Sequence, residues 1–292
     1  MRAPTFRDRV EYGLFRGAVA LLEVLPIRAS LALGRRLGDL AFSVIRLRRR
    51  VALENLALVE GHPGRRRALA RRVYRNLGET FAEFSKLTPE RAPSLWARLT
   101  TEGEESLFEA ARRGRGAVLT SAHFGSWEIF GAAVAARGHP VTYVVADQRN
   151  PLVGSFIDRR RRAMGVHTYP VGASARRALR ELREKRFVVL LADQDAGRDG
   201  VFLPFLGSLA STETGPALVA QRTGAPVISG FILRRGGGRH HMVFDEPFLV
   251  EPGRDAGIEA VRRYTARIEE RVRLHPDHWF WVHRRWKTRP PA

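Results

Sequence analysis

The sequence contains no cysteine among its 292 residues, and this absence excludes several kinds of chemistry. Without a thiol the chain cannot form a disulfide, use a thiolate nucleophile, or hold a zinc ion or an iron–sulfur cluster through cysteine. Histidines such as His139, His167 and His275 show no metal-ligand spacing either, and we predict no metal site. Any catalysis must therefore rely on other side chains.

Lysine is also scarce, because only three of the fifty basic residues are lysine and the rest are arginine. Against thirty acidic residues, they give the chain a formal net charge of +20. Such an excess creates a positive field that attracts nucleic acid, anionic lipid headgroups or an acidic protein. Net charge alone does not choose among these partners.

Long apolar runs are missing as well. Near the N-terminus, Arg16, Glu23 and Arg28 interrupt the apolar residues, which argues against a transmembrane helix and a cleavable signal peptide. Two amphipathic segments remain, at 12–25 and 29–47, and an arginine cluster closes the second. Such segments suit helices that lie in a membrane interface among anionic headgroups, and equally suit two helices packed on the core.

Beyond residue 103 the pattern changes from helical spacing to an alternation of strands and helices. The predicted strands are apolar runs at 116–122, 140–146, 186–192 and 225–233. This alternation predicts an α/β fold with a mixed, mainly parallel sheet flanked by helices. We therefore divide the chain into a membrane-associated helical segment at 1–50 and a single α/β domain at 51–292.

His123 and Glu128 form the local pattern that points most directly to chemistry, because they follow the predicted strand 116–122. On one continuous helix their side chains would point about 140° apart, at ~100° per residue. The two side chains can therefore meet only if the backbone turns between them. A bend at Gly125 and a helix capped by Ser126 would let Glu128 reach back to the histidine ring. The carboxylate would fix the tautomer, and the free ring nitrogen would accept a proton from a hydroxyl.

Two further blocks follow in the sequence. Asp193-Gln194-Asp195 opens the block 192–217, and an aromatic, basic segment occupies 281–290. With the His123 block, they resemble the signatures of the glycerolipid and lysophospholipid acyltransferases, in the histidine–glutamate variant of the bacterial lipid A late acyltransferases. The resemblance covers residues 121 to 290 in the expected order.

This resemblance implies transfer of a fatty acyl group from an acyl-carrier-protein or coenzyme A thioester to a glycolipid hydroxyl, with a lipid A precursor as the expected acceptor. His123 would deprotonate that hydroxyl, with Glu128 as its orienting carboxylate. The sulfur belongs to the donor, so no cofactor is needed beyond this co-substrate. An arginine would stabilise the oxyanion.

The resemblance also assigns roles to other residues. The family places an arginine before an Asn-Pro pair, and Arg149 is the nearest match; Arg159 and Arg162, in the basic run 158–162, are the competing candidates for the oxyanion or the donor. The candidates for positioning the acceptor are Asp193, Gln194 and Asp195. The aromatic tail at 278–287 could stack bases, lie at a membrane interface, or close the core as a terminal strand with its basic side facing donor phosphates.

Several alternatives stay open. The acceptor could instead be a phosphatidylinositol mannoside, a lysophospholipid or an amino-acid lipid, since each offers only a hydroxyl. A basic membrane- or nucleic-acid-binding protein would give Glu128 no role, and a glycosyltransferase would need a divalent metal at Asp193 and Asp195. We predict a peripheral or monotopic enzyme on the cytoplasmic face of the inner membrane. Its partners would be membrane lipids, including the anionic bilayer, and acyl carrier protein, and not nucleic acid.

Overall fold

The computed structural model of the protein describes residues 3–112, 114, 116–146, 148–170 and 174–290. Helices dominate the first part of the chain: α1 (Phe6–Val24), α2 (Ile27–Leu40), a π-helical turn (Ala41–Ile45), α3 (Arg49–Leu56), α4 (Pro63–Lys86) and α5 (Ala92–Trp96). Helix α1 begins at a capping box, in which Thr5 and Asp8 satisfy each other's backbone N–H groups. Among the described helices, none is both long and apolar enough to cross a membrane.

Glycines bring α2 into backbone contact with α4. A Cβ atom added at Gly78 would lie 1.9 Å from the carbonyl oxygen of Gly34, and one at Gly38 would lie 2.2 Å from that of Tyr74. Only glycine permits so close an approach. The N-terminal helices thus pack along α4, and the division of the chain at residue 50 stays a prediction.

One sheet of seven strands lies in the described part of the chain, in the order β1-β9-β8-β2-β5-β3-β4. Its strands are β1 (Leu99–Glu102), β2 (Ala117–Ser121), β3 (Val141–Val145), β4 (Val166–Pro170), β5 (Phe187–Leu191), β8 (Val227–Arg234) and β9 (His240–Phe244). All neighbours are parallel except β8 and β9. A separate hairpin contains β6 (Val201–Phe205) and β7 (Ser208–Thr212). The predicted α/β fold with a mixed, mainly parallel sheet is confirmed, whereas β1 and the hairpin were not predicted.

Helices flank the sheet on both faces. They are α6 (Glu105–Arg112), α7 (Trp127–Ala136), α8 (Pro151–Ala163), α9 (Ser174–Arg183), α10 (Gly215–Thr223) and α11 (Arg254–Leu274), with short 3-10 helices at Gly197–Asp199 and Pro276–His278. Strand β2 is buried throughout, and its side chains alternate between the two cores: Val118 joins one, and Leu119 joins the other. Because β2, β5 and β3 run parallel, their carboxyl ends meet at one edge, where ligands bind in folds of this kind.

Candidate active site

The loop after β2 is held by Gly125, which has a φ of +57°. Its N–H donates to the carbonyl of His278 at 2.9 Å, and its carbonyl accepts from the Thr80 hydroxyl at 2.9 Å. A Cβ here would lie 2.1 Å from the Ile232 carbonyl oxygen, so the bend requires glycine. The predicted turn is confirmed; Ser126 takes the N-cap position of α7, but its side chain makes no capping bond.

Behind this loop lies a buried polar network. The Arg234 guanidinium makes two hydrogen bonds to the Glu83 carboxylate, of 2.8 and 2.7 Å, and a third of 2.9 Å to Thr80 Oγ1. The same Thr80 hydroxyl lies 3.0 Å from the carbonyl of Asn76 and 2.9 Å from that of Gly125. The ion pair therefore fixes Thr80, and Thr80 in turn supports the loop that carries His123.

Strand register brings His123 and Asp193 together. Ser121 at the end of β2 is opposite Leu191 at the end of β5, and each of the two site residues follows two positions later. The Nδ1 atom of His123 lies 2.9 Å from Asp193 Oδ1, and the backbone N–H of His123 donates to Oδ2 at 2.9 Å. The indole N–H of Trp279 donates to the same Oδ2 at 2.7 Å.

The environment of Asp193 favours its ionised form. The residue is only 3 % exposed, and burial by itself would raise its pKa. The charge of His123 and the hydrogen bonds from His123 and Trp279 outweigh burial and hold the pKa of Asp193 below its ordinary value. When the ring is neutral, an ionised carboxylate accepts its Nδ1 proton, which leaves Nε2 with its lone pair for a substrate proton.

Aromatic side chains and one amide surround the His123 ring. Its centroid lies 5.4 Å from that of Trp127 and 5.8 Å from that of Phe280. The Nε2 atom of Gln194 lies 3.4 Å from Nδ1 and 3.5 Å from Nε2 of the histidine. The imidazole, whose side chain is 24 % exposed, thus has a carboxylate on one side and an open, mostly apolar surface on the other.

The predicted contact between Glu128 and His123 is wrong. Glu128 instead accepts two hydrogen bonds from the guanidinium of Arg161 on α8, at 2.9 and 2.6 Å. The physical reason is that Asp193 already occupies the Nδ1 side of the ring, while the start of α7 presents Glu128 to α8. The carboxylate that contacts the histidine is therefore Asp193.

Arg161, the partner of Glu128, is not among the residues that the sequence analysis selected. Burial opposes its charge, but Glu128 raises the pKa of Arg161 above its ordinary value, and the pair is nearly enclosed, with side chains 12 % and 10 % exposed. The arginines chosen from the same basic run, Arg159 and Arg162, are exposed. The helical periodicity of α8 could have indicated Arg161, because it lies four residues, or one turn, after Ile157 on the face of the helix that packs against the protein.

An apolar cavity of about 600 Å³ adjoins the histidine. Trp127 and Phe280, which contact the His123 ring, form part of its wall, and Glu128 also lines it. The remaining lining comes from the N-terminal helices, the C-terminal segment and α8: Phe15, Leu37, Gly38, Ala41, Leu47, Arg48, Tyr74, Leu77, Gly78, Thr80, Phe81, Phe84, Ile157 and Val282. Its size falls in the range of small-molecule sites, and its walls suit a hydrocarbon chain.

Arg149, Arg159 and Arg162 do not line this apolar cavity. Together with Arg161 they line a second cavity of about 530 Å³, on the other side of the pair that Arg161 forms with Glu128. Ile157 lines both cavities, so the two spaces adjoin.

Asp195 lies close to Asp193 in sequence but has different contacts. Its carboxylate accepts from the backbone N–H of Thr288 at 3.1 Å and from the Thr288 hydroxyl at 2.9 Å, and Lys287 Nζ lies 3.4 Å away. These bonds hold the C-terminal segment in place. Asp195 thus faces the tail, whereas Gln194 faces the His123 ring.

The tail closes the core. Trp279 and Trp281 are 2 % and 0 % exposed, and only the first reaches the site, through Asp193. Arg285 is also buried, donates to the carbonyl of Ser211 and the hydroxyl of Thr212, and has its pKa lowered to about 10 by burial. The expected burial of the tail in the core is therefore confirmed for these residues, whereas the expected terminal strand is wrong, because residues 281–286 form turns.

Fold and site together define an α/β enzyme in which a carboxylate-oriented histidine lies beside an apolar cavity. Comparison with known proteins gives the class its name: the family of bacterial lipid A biosynthesis acyltransferases matches residues 3–288, and the chain belongs to that family. It is accordingly an acyltransferase that acylates a hydroxyl group.

Three individual relatives of the chain have names that fit this family. Over 280 residues the chain is 25 % identical to the lipid A biosynthesis palmitoleoyltransferase of Escherichia coli (strain K12), covering 94 % of this chain and 90 % of the relative. The lipid A biosynthesis lauroyltransferase of the same strain matches with the same identity and coverage. A phosphatidylinositol mannoside acyltransferase of Mycobacterium tuberculosis (strain ATCC 25618 / H37Rv) is 31 % identical over 191 residues, covering 63 % of this chain and 58 % of the relative.

Proposed function

We propose that this protein transfers a fatty acyl chain from an acyl thioester to a hydroxyl group of a glycolipid, with His123 as the general base and Asp193 as its orienting carboxylate. The observation that carries the proposal is the 2.9 Å contact between His123 Nδ1 and Asp193 Oδ1, beside a cavity of about 600 Å³ for the acyl chain. The proposal replaces Glu128 by Asp193 as the partner of the base.

In the proposed reaction, His123 takes up one proton and later returns it. Nε2 of His123 accepts the proton of the acceptor hydroxyl as the oxygen attacks the thioester carbonyl. The tetrahedral intermediate collapses with cleavage of the carbon–sulfur bond, and the imidazolium returns its proton to the departing sulfur. Products are the acylated lipid and the free thiol of the carrier, so no protein nucleophile or cofactor takes part.

Arg161 is our candidate for the charge that stabilises the oxyanion. Its two hydrogen bonds to Glu128 fix the guanidinium in a nearly enclosed position beside the cavity that Glu128 lines. A fixed cation in such a place stabilises developing negative charge more than a mobile one, and losing one such donor typically costs about 3 kcal/mol. In this proposal Glu128 acts through Arg161 as a positioning residue, and Gln194, which contacts the His123 ring, holds the acceptor hydroxyl near it.

A lipid A precursor is the acceptor we favour, because the relatives that match over nearly their whole length carry lipid A in their names. A phosphatidylinositol mannoside is the second candidate, since three shorter matches are named for it. Acyl carrier protein and coenzyme A remain alternative carriers of the donor.

We also propose that the N-terminal region binds the bilayer surface. On α1, Phe6, Leu14 and Val24 are 82 %, 73 % and 75 % exposed. Ile45, the last residue of the π-helical turn, is 62 % exposed, and Leu47 just after it is 58 % exposed. Leu47 also lines the apolar cavity, so the exposed apolar surface continues into the site. With the positive net charge, this surface suits a peripheral or monotopic enzyme on an anionic membrane. We place it on the cytoplasmic face, where acyl thioesters are made.

Acyl transfer tests the proposed activity. Purified protein is given labelled acyl-carrier-protein and acyl-CoA thioesters with lipid A precursors and phosphatidylinositol mannosides in detergent. We expect transfer to one acceptor class and its loss in His123→Ala, whereas His139→Ala, a substitution at a histidine remote from the cavity, keeps it. Equal transfer by His123→Ala and wild type would overturn the assignment of the base.

Flotation with vesicles tests the membrane surface. Leu14→Glu should reduce binding to vesicles that contain anionic lipid, because it places a charge in the exposed apolar face. Leu249→Glu, at a residue that is 51 % exposed in another part of the molecule, is the matched control and should bind as wild type does. If both variants float like the wild type, the assigned surface is wrong.

A further inference from the structure

The second cavity, of about 530 Å³, has a wall that is strongly basic. Among the residues that the structure describes, four guanidinium groups line it, from Arg149, Arg159, Arg161 and Arg162, together with one carboxylate, from Asp158. We call this space the arginine pocket. Like charges so close together repel one another, so the arrangement is most stable when an anion occupies it.

The charges of these arginines are unequally compensated. Arg161 has Glu128 at 2.6 Å and Asp158 at 3.6 Å. For Arg159 and Arg162, no carboxylate among the described residues lies within 4 Å, and both side chains are exposed. Two guanidinium groups thus remain able to form charge-assisted hydrogen bonds to a ligand.

The position of the arginine pocket relates it to the site. Its wall includes Val145 and Ala146 at the carboxyl end of β3, the edge of the sheet from which His123 and Asp193 also project. Ile157 lines both this pocket and the apolar cavity. A substrate whose hydrocarbon chain fills the apolar cavity can therefore extend a polar group past Arg161 into the pocket.

We propose that the arginine pocket binds a phosphoryl group carried by one of the two substrates of the acyl transfer. The proposal rests on the function proposed above. The planar guanidinium fork matches phosphate oxygens in a bidentate manner, and a cavity of this volume accepts a phosphate together with the group that bears it. The phosphoryl group comes either from the headgroup of the acceptor lipid or from the phosphopantetheine arm of the donor. Arg159 and Arg162 are thereby assigned to substrate binding instead of to the oxyanion.

Steady-state kinetics with matched substrates test the proposal. The variant is Arg159→Ala/Arg162→Ala, and the control is Arg176→Ala/Arg183→Ala, which removes the same charge from exposed residues of α9. Each is assayed with one acceptor lipid in its phosphorylated and dephosphorylated forms. Each is also assayed with the acyl-carrier-protein donor and with an N-acetylcysteamine thioester, which has no phosphate.

We expect the KM of one phosphate-bearing substrate to rise about tenfold for each arginine removed, from the loss of a charge-assisted hydrogen bond, with kcat changed little. The KM of its phosphate-free counterpart should stay constant. A rise confined to the acceptor identifies the headgroup as the source, and a rise confined to the donor identifies phosphopantetheine. An unchanged KM, or an equal rise with and without phosphate, would overturn the proposal.

Binding of inorganic pyrophosphate separates this proposal from the proposed function, because it needs no turnover. By calorimetry, wild type and the α9 control should bind pyrophosphate, and Arg159→Ala/Arg162→Ala should bind it at least tenfold more weakly. Equal binding by all three would refute the arginine pocket even if acyl transfer is observed. Loss of binding in the variant would support the pocket even if no acceptor tested is acylated.

Discussion

Replacing Asp193 by asparagine removes the charge that orients His123 while keeping the size of the side chain. In the native site one carboxylate oxygen accepts the Nδ1 proton of His123. The other accepts two N–H groups, from the His123 backbone and the Trp279 indole. Asparagine has one carbonyl oxygen and one NH₂ group, so it cannot satisfy both sides at once.

The two possible orientations of the amide differ in energy. If its oxygen faces Nδ1, the NH₂ group meets two buried N–H donors, each of which loses its acceptor at a cost of about 1–3 kcal/mol. The other orientation keeps those bonds and turns the NH₂ group toward Nδ1. That nitrogen must then accept, the ring proton moves to Nε2, and the general base is lost.

We therefore predict that Asp193→Asn lowers kcat/KM by about 10³- to 10⁴-fold, the size of effect that a wrong histidine tautomer produces elsewhere, and leaves the fold intact. The assay is acyl transfer at saturating donor, with circular dichroism and Tm measured on the same samples. Asp195→Asn is the matched control, since that carboxylate binds Thr288 in the tail. The reasoning is refuted if folded Asp193→Asn keeps activity within tenfold of wild type.

Three other outcomes follow from the contacts described above. Thr80→Val should lower kcat about tenfold, because the Gly125 carbonyl and Arg234 each lose a hydrogen bond. Thr80→Ser, which keeps the hydroxyl, should have the kcat of the wild type. Equal kcat in the two variants would contradict this prediction. Leu77→Trp should shorten the apolar cavity, so that the longest acyl chains no longer fit. In a series of donors with increasing chain length, kcat/KM should fall about fourfold for each excluded methylene. If the dependence of kcat/KM on chain length is unchanged, the acyl chain binds elsewhere. Asp39→Asn should reduce stability at neutral pH, because hydrogen bonds from Arg75 and Arg71 lower the pKa of Asp39 to about 2. Because the pKa of Asp39 is lower in the folded protein than its unfolded value near 3.9, its ionised carboxylate stabilises the folded state fully only at a pH above that value. The difference in Tm between wild type and Asp39→Asn should therefore shrink as the pH falls from about 4 toward 2. A difference in Tm that stays constant over this range would contradict the prediction.

The strands and the loop after β2 were predictable because their signals are local. The apolar runs that gave β2, β5 and β8 are bounded by polar or glycine residues, and burial on both faces of a parallel sheet demands such runs. The bend at Gly125 was predicted so that Glu128 could reach the His123 ring, and the bend is present although that contact is not. These features depend on a few neighbouring residues, which a single sequence displays.

The partner of His123 was not predictable in this way, since it depends on which strands are neighbours. Asp193 reaches the ring because β5 lies beside β2, with Ser121 opposite Leu191. Apolar patterning does not specify the order of strands in a sheet, so the nearer carboxylate in sequence, Glu128, was chosen. The close contact of Gly34 with Gly78 depends in the same way on distant residues.

The central claim is that His123 and Asp193 act as one unit, and a double-mutant cycle measures this directly. Acyl transfer is compared in wild type, His123→Ala, Asp193→Asn and the double variant, all checked for folding. If the two residues form one base, the double variant is no slower than His123→Ala, because the aspartate has no role once the ring is gone. If the losses of the two single variants multiply in the double variant, Asp193 acts independently of His123 and the account is wrong.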